Sequence, residues 1–112
     1  MATPDAEAGC FGPSGLVVSC VRRANGRLWI RVIGDLDAIE TAEFHAQVWP
    51  LLTRPTRCIE LDLAGMGFCD AAGGRELLRL FRGAAQQKIN LVVVAAHPVV
   101  EFVLGVIGGF SL

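Results

Sequence analysis

One run constrains this chain more than any other: Leu61-Asp62-Leu63-Ala64-Gly65-Met66-Gly67-Phe68-Cys69-Asp70-Ala71-Ala72-Gly73-Gly74. Ile59, Leu61 and Leu63 alternate as a strand does, and the segment from Arg57 to Leu63 is continuous enough to be central in a sheet. Ala64 to Cys69, with Gly65 and Gly67, follows as a turn. Asp70 then stands where a helix N-cap belongs, before a helical pattern from about Ala71 to Gln87. A strand passing into a helix through a short turn is the unit of a parallel sheet with right-handed crossovers.

The flanking segments extend this pattern. Leu16 to Arg22 and Leu28 to Ile33 are predicted strands, joined at Ala24-Asn25-Gly26, where Asn and Gly accept the positive φ of a tight hairpin. Alternation puts Leu28, Ile30 and Val32 on one face and Trp29, Arg31 and Ile33 on the other. Asp37 with Glu40 has capping-box spacing, which predicts a helix over Ala38 to Leu52 with Ala42, Ala46 and Trp49 as its buried stripe and Ile39, Val48 and Leu52 beside it. In the next helix Leu77, Leu78, Phe81, Ala84 and Ala85 form the apolar stripe, and Gly83 interrupts it. Ile89 to Ala95 is a fully apolar strand, and Pro98 suits the first turn of a last helix to about Leu104. The order is strand, strand, helix, strand, helix, strand, helix. An α/β fold is expected, with a mixed sheet of about four strands, an opening hairpin and parallel βαβ units. Met1 to Ser14 is expected to be a disordered tail and residues 15–112 one domain.

Composition excludes several classes. A net charge of −1 gives no sign of a nucleic-acid surface. Cys10, Cys20, Cys58 and Cys69 form no C-x-x-C pair and no His lies at ligand spacing, so no metal is expected. Cys20 and Cys69 fit a core, and Cys10 an exposed position. The start of the chain lacks a basic and apolar leader, and His97, Pro98 and Glu101 interrupt the apolar run from Ile89 to Leu112. A cytoplasmic protein without a membrane span is the expectation.

The motifs resemble those of the STAS domain, the fold of bacterial anti-anti-sigma factors. Asp62 to Gly74 is similar to the family's signature loop. Gly34-Asp35-Leu36-Asp37 with Thr41-Ala42 resembles its Gly-x-Leu-Asp segment, and Leu91 to Pro98 with Val103-Leu104-Gly105 and Ile107-Gly108 resembles its apolar strand, Pro-started helix and Gly-ended turn. The resemblance implies a phospho-acceptor Ser at the position of Ala72, so the regulatory hydroxyl is missing. Gly74 stands where the family carries an apolar residue. The family usually continues through another strand and helix, so a STAS fold shortened at its C-terminus is expected.

Two readings of Asp70 are compatible: a helix cap, and a polar contact to a partner. The N–H groups of Ala71, Ala72 and Gly73 at the helix start favour an anion. Arg75, Arg79 and Arg82 form either a cationic stripe facing an acidic partner or a solvated helix face, with Glu76 pairing to Arg79 or to Arg22 or Arg23. Gly65-x-Gly67 lacks the third glycine of a dinucleotide fingerprint, where Asp70 would repel a pyrophosphate, and no P-loop Lys follows. No Ser-His-Asp set is evident, and His45 is expected to be solvated. No enzyme and no cofactor are therefore expected. The resemblance implies a partner-binding site of Asp37, Asp70, Ala71, Ala72, Gly73, Arg75 and Arg79. It also implies an anti-sigma factor of the ATP-binding serine-kinase class as partner, whose capture frees a sigma factor. The alternative is a STAS-type scaffold subunit of a larger signalling or transport complex, as a homodimer or an obligate complex.

Overall fold

A computed structural model describes residues 10–11 and 15–108. Six strands and three helices follow in the order β1 (Cys10–Phe11), β2 (Val17–Arg23), β3 (Arg27–Leu36), α1 (Thr41–Val48), β4 (Cys58–Leu63), β5 (Met66–Cys69), α2 (Ala71–Gln86), β6 (Asn90–Ala96) and α3 (Pro98–Gly108). The sheet runs β1-β2-β3-β4-β6, with β5 added to the far end of β3. β1, β2 and β3 are antiparallel neighbours, whereas β4, β5 and β6 join in parallel. The expected mixed α/β fold is therefore present.

The β2–β3 turn follows its sequence: Asn25 and Gly26 take φ of 65° and 76°. From β3 the chain steps in one direction, through α1 to β4 and through α2 to β6. Right-handed crossovers in one direction put the helices on one side of a sheet. Leu28, Ile30, Val32, Ile59, Leu61 and Leu63 meet Phe44, Val48, Leu77, Leu80, Ala84, Val100 and Leu104 there in one buried core. The other sheet face is polar and half-open, with Arg27 on Glu60 at 2.9 Å, Arg31 on Asp62 at 3.6 Å, and Arg31 stacked over Trp29.

Several expectations need correction. Met66–Cys69 is a strand, not a turn. β3 pairs with β4 through Arg31, shifts register at Gly34, and takes β5 as its partner through Leu36. Residues 38–40 form a turn ahead of α1, which changes the phase of that helix: Phe44 and Val48 are buried, while Ala42, Ala46 and Ile39 are exposed. In α2 Leu77 and Ala84 are buried as expected, but Leu80 is buried with them, Leu78 and Phe81 are only half-buried, and Ala85 is exposed. β6, the apolar strand, lies at the edge of the sheet with Val92 and Val94 outward. Cys10–Phe11, expected in the tail, pairs with β2; the rest of the tail expectation, and the exposure of Cys10, lie outside the described residues. Cys69 is buried in the core, and Cys20 is half-buried against it. No helix among the described residues is long and apolar enough to cross a membrane.

Candidate functional site

The C-terminal ends of β3 and β5 bring the two halves of the candidate site together. Asp37, the first residue after β3, accepts hydrogen bonds at Oδ1 from the N–H groups of Ile39 (3.0 Å) and Glu40 (2.9 Å). This Asx turn shapes residues 37–40. Glu40 does not complete a capping box: its carboxyl is buried and Oε1 has no hydrogen-bond partner among the described residues.

Asp70 fastens this turn to α2. Its Oδ1 accepts the Gly73 N–H at 2.8 Å as the helix cap, and its Oδ2 accepts the Ala38 N–H at 3.2 Å. The Asp70 N–H in turn reaches the Leu36 carbonyl at 3.2 Å. One carboxylate thus fixes both loops, and Asp37, Asp70, Ala71, Ala72 and Gly73 form one cluster. Ala71 is exposed, Ala72 half-buried and Gly73 buried. Because Asp70 consumes the Gly73 N–H, only the Ala71 and Ala72 N–H groups remain of the three expected to face an anion, and a carboxylate stands beside them. Ile39 (79% exposed) and Phe68 (47%) lie at this same sheet end, so the cluster combines carboxylates with apolar surface.

Arg75 and Arg79 continue the exposed face of α2 from Ala71, and with Leu78 and Arg82 they line a shallow groove of about 210 Å³. The two arginines differ. Arg79 donates to Glu76 Oε1 at 3.0 Å, whereas Arg75 makes no ion pair among the described residues.

A second polar cluster went unforeseen as a unit. Glu76 is buried on α2, and its Oε2 accepts the Trp49 indole N–H at 2.7 Å and lies 3.2 Å from His45 Nδ1. The His45 and Trp49 rings stack at 4.7 Å. His45 is exposed, as expected, and also engages the α1–α2 contact. A Glu one position before Leu77, within a helix whose buried face also includes Gly73, Leu80 and Ala84, was the available sequence signal.

Burial pushes the Cys69 thiol up from 9.0 to about 11, and the neighbouring Asp70 carboxylate adds to the rise. Such a thiol is a poor nucleophile at neutral pH. The sign for stability follows from linkage: above pH 9 the unfolded chain releases this proton while the folded chain keeps it. The contribution is fully present below pH 9 and declines as pH rises towards about 11. Urea unfolding across that window is expected to show a falling stability in the native chain and a flatter profile in Cys69→Ala. Parallel profiles would contradict the assignment.

The comparisons with known proteins agree with this architecture. The family model described as "Mlab, STAS domain" matches residues 20–109, so the chain belongs to the STAS family. Among solved structures it is similar to the anti-sigma factor antagonist SpoIIAA in its unphosphorylated form, with 16% identity over 85% of both chains and a TM-score of 0.66. It is also similar to part of SLC26A9, with 16% identity over 76% of this chain and 16% of that one, and a TM-score of 0.67. Mglu shares the fold more loosely, with 10% identity over 85% of this chain and 36% of that one, and a TM-score of 0.52. No curated protein sequence matches the chain.

Proposed function

We propose that this chain is a non-catalytic protein–protein interaction module of the anti-sigma factor antagonist kind, which captures an anti-sigma factor and so frees a sigma factor. The observation that carries the reading is the doubly bonded Asp70 carboxylate, which holds the 37–40 turn and the start of α2 as one rigid surface. Asp37, Ala71, Ala72, Gly73, Arg75 and Arg79 extend that surface, and its preorganisation lowers the entropic cost of docking. The fold likeness to SpoIIAA over most of both chains supports the assignment. Ala72 stands at the acceptor position of the switch, so an ATP-binding serine kinase as partner binds this module without being able to turn it off. A cytoplasmic location fits such a partner.

Ala72→Ser tests the mapping. A phosphate there would add about −1.5 to −2 charges beside the Asp70 carboxylate. A pull-down from the native cell, with mass spectrometry, is expected to recover an anti-sigma kinase on the native chain. That kinase with ATP is expected to phosphorylate only the Ser variant and then to release it. Recovery of the kinase with no phosphate on the Ser variant would refute the placement of Ala72.

A second reading rests on different residues. Val92 and Val94 on the edge strand β6 are 42% and 50% exposed, and Phe102 on α3 is 70% exposed. Such surface favours a permanent neighbour, as in a scaffold subunit of a larger complex. Recovery of a stoichiometric complex lacking a kinase, disrupted by Val94→Asp but not by Asp37→Ala, selects this reading.

A further inference from the structure

Two groups of the described charges separate along the strand axis. Asp35, Asp37, Glu40 and Asp70 lie at the C-terminal ends of β3 and β5. At the opposite end, where β3, β4 and β6 begin, stand Arg22, Arg23, Arg54, Arg57 and Lys88, and none of these five makes an ion pair among the described residues. Arg54, Pro55, Thr56, Arg57, Gln87 and Lys88 line an open cleft of about 540 Å³ there, with no carboxylate among them. Arg22 joins it from β2, donating to Thr56 Oγ1 at 3.1 Å.

We propose that this cleft binds a small phosphate-bearing anion, held by Arg54, Arg57 and Lys88. The site lies away from the partner surface and goes beyond the function proposed above. Two local features bear on its sign. α2 ends here, and a helix C-terminus carries about half a negative charge. Its carbonyls are already engaged: Gln87 N–H reaches Gly83 and Ala84, Lys88 N–H reaches Ala85, and Ile89 N–H reaches Ala84. Three lining cations and Arg22 outweigh that residual dipole. Backbone donors contribute little, because the Thr56 and Arg57 N–H groups are committed to Thr53 and Gly26. Binding therefore runs through long cationic side chains, which take a phosphate by charge-assisted, forked hydrogen bonds. Apart from Pro55 the lining side chains all carry polar or cationic heads, which points to the phosphate itself rather than the group that carries it.

The test is a pyrophosphate titration of the labelled full chain followed by amide NMR. Saturable shifts are expected at Thr56, Arg57, Gln87 and Lys88, with weaker binding as salt rises. Arg54→Gln with Lys88→Gln is expected to weaken binding about tenfold or more, whereas Arg75→Gln with Arg82→Gln leaves it unchanged. Both pairs are exposed, so both variants fold. Arg57 is left in place because its side-chain stem packs near Gly26. Vesicles of phosphatidylglycerol, against phosphatidylcholine alone, separate the sources. Competition by the anionic vesicles assigns the phosphate to a lipid headgroup, and its absence assigns it to a free ligand. Unsaturable shifts, equal losses in the two double variants, or concentration-dependent broadening at both ends of the sheet without ligand would overturn the site. The last of these would mean that the acidic end of a second copy occupies the cleft.

Discussion

Gly73→Ala is expected to destabilise the domain by about 2–3 kcal/mol. A methyl group there would sit 2.2 Å from the Leu36 carbonyl oxygen and 3.0 Å from the Leu36 carbonyl carbon and Cγ. The obstacle is backbone at the end of β3, and it is already bonded by the Asp70 N–H at 3.2 Å. Relief requires lifting α2 away from the sheet, which breaks the Asp70 bridge to Gly73 and Ala38. Helix propensity works in the other direction, since Ala is favoured over Gly by up to about 1 kcal/mol. Overpacking against fixed backbone outweighs that gain, so the sign is set by the Leu36 contact. Gly67→Ala is the matched control: its methyl would meet only Asp35 Oδ1, at 4.0 Å, and is expected to change stability by less than about 0.5 kcal/mol. Urea denaturation of the two variants measures the difference. A Gly73→Ala chain as stable as native would show that α2 does not approach β3 this closely. The same substitution is expected to weaken partner capture beyond its effect on stability, because the surface held by Asp70 comes apart first.

The segments legible in the sequence are those whose pattern is local. The alternation in β3 placed Leu28, Ile30 and Val32 in the core, and all three are fully buried. Asp70 announced itself as a cap, and Asn25-Gly26 as a turn. β5 was not legible, because Gly67 and the exposed Phe68 leave no alternation in Met66–Cys69, and Gly65 just ahead of it reads as a turn. It is a strand only because β3 is long enough to offer a second partner beyond Gly34. The phase of α1 was missed for a related reason. Capping-box spacing suggested a helix from residue 38, whereas the Asx turn at Asp37 delays it and Phe44 sets which face is buried. In the candidate site, the joining of Asp37 to Asp70 through the Ala38 N–H is a contact across 32 residues that no periodicity encodes. The family resemblance supplied it indirectly by naming both loops. It did not supply Glu76 as a bonding centre, since a buried carboxylate breaks the apolar pattern used to find a helix face.

Glu76→Ala is expected to cost about 3 kcal/mol, comparable with the glycine substitution but through an unrelated cause. Three groups converge on this carboxylate: the Trp49 indole N–H, the Arg79 guanidinium and His45 Nδ1. Removing it strands the indole donor in a part-buried position and leaves a void between α1 and α2. The effect spreads through Trp49. A methyl on Gly83 would lie 2.8 Å from the far edge of the Trp49 ring, so the indole lies directly on the α2 backbone there. The bond to Glu76 and the stack on His45 hold the ring in that slot. This also explains a helix-interior glycine whose intrinsic effect is unfavourable by about 1 kcal/mol. Glu76→Gln keeps the volume and one acceptor, and is expected to lose only about 1–2 kcal/mol. A double-mutant cycle of Glu76→Gln with Trp49→Phe isolates the indole bond, with an expected coupling of about 1 kcal/mol. Arg75→Ala, on the exposed face one residue away, sets the scale of a surface change at less than about 0.5 kcal/mol. If Glu76→Ala falls within that scale, the cluster contributes nothing to the α1–α2 contact. If it reaches the expected value, the position of α2 is set at two points of its path along the sheet. Asp70 fixes its first turn to β3, and the Glu76–Trp49 bond fixes its middle to the segment that follows α1.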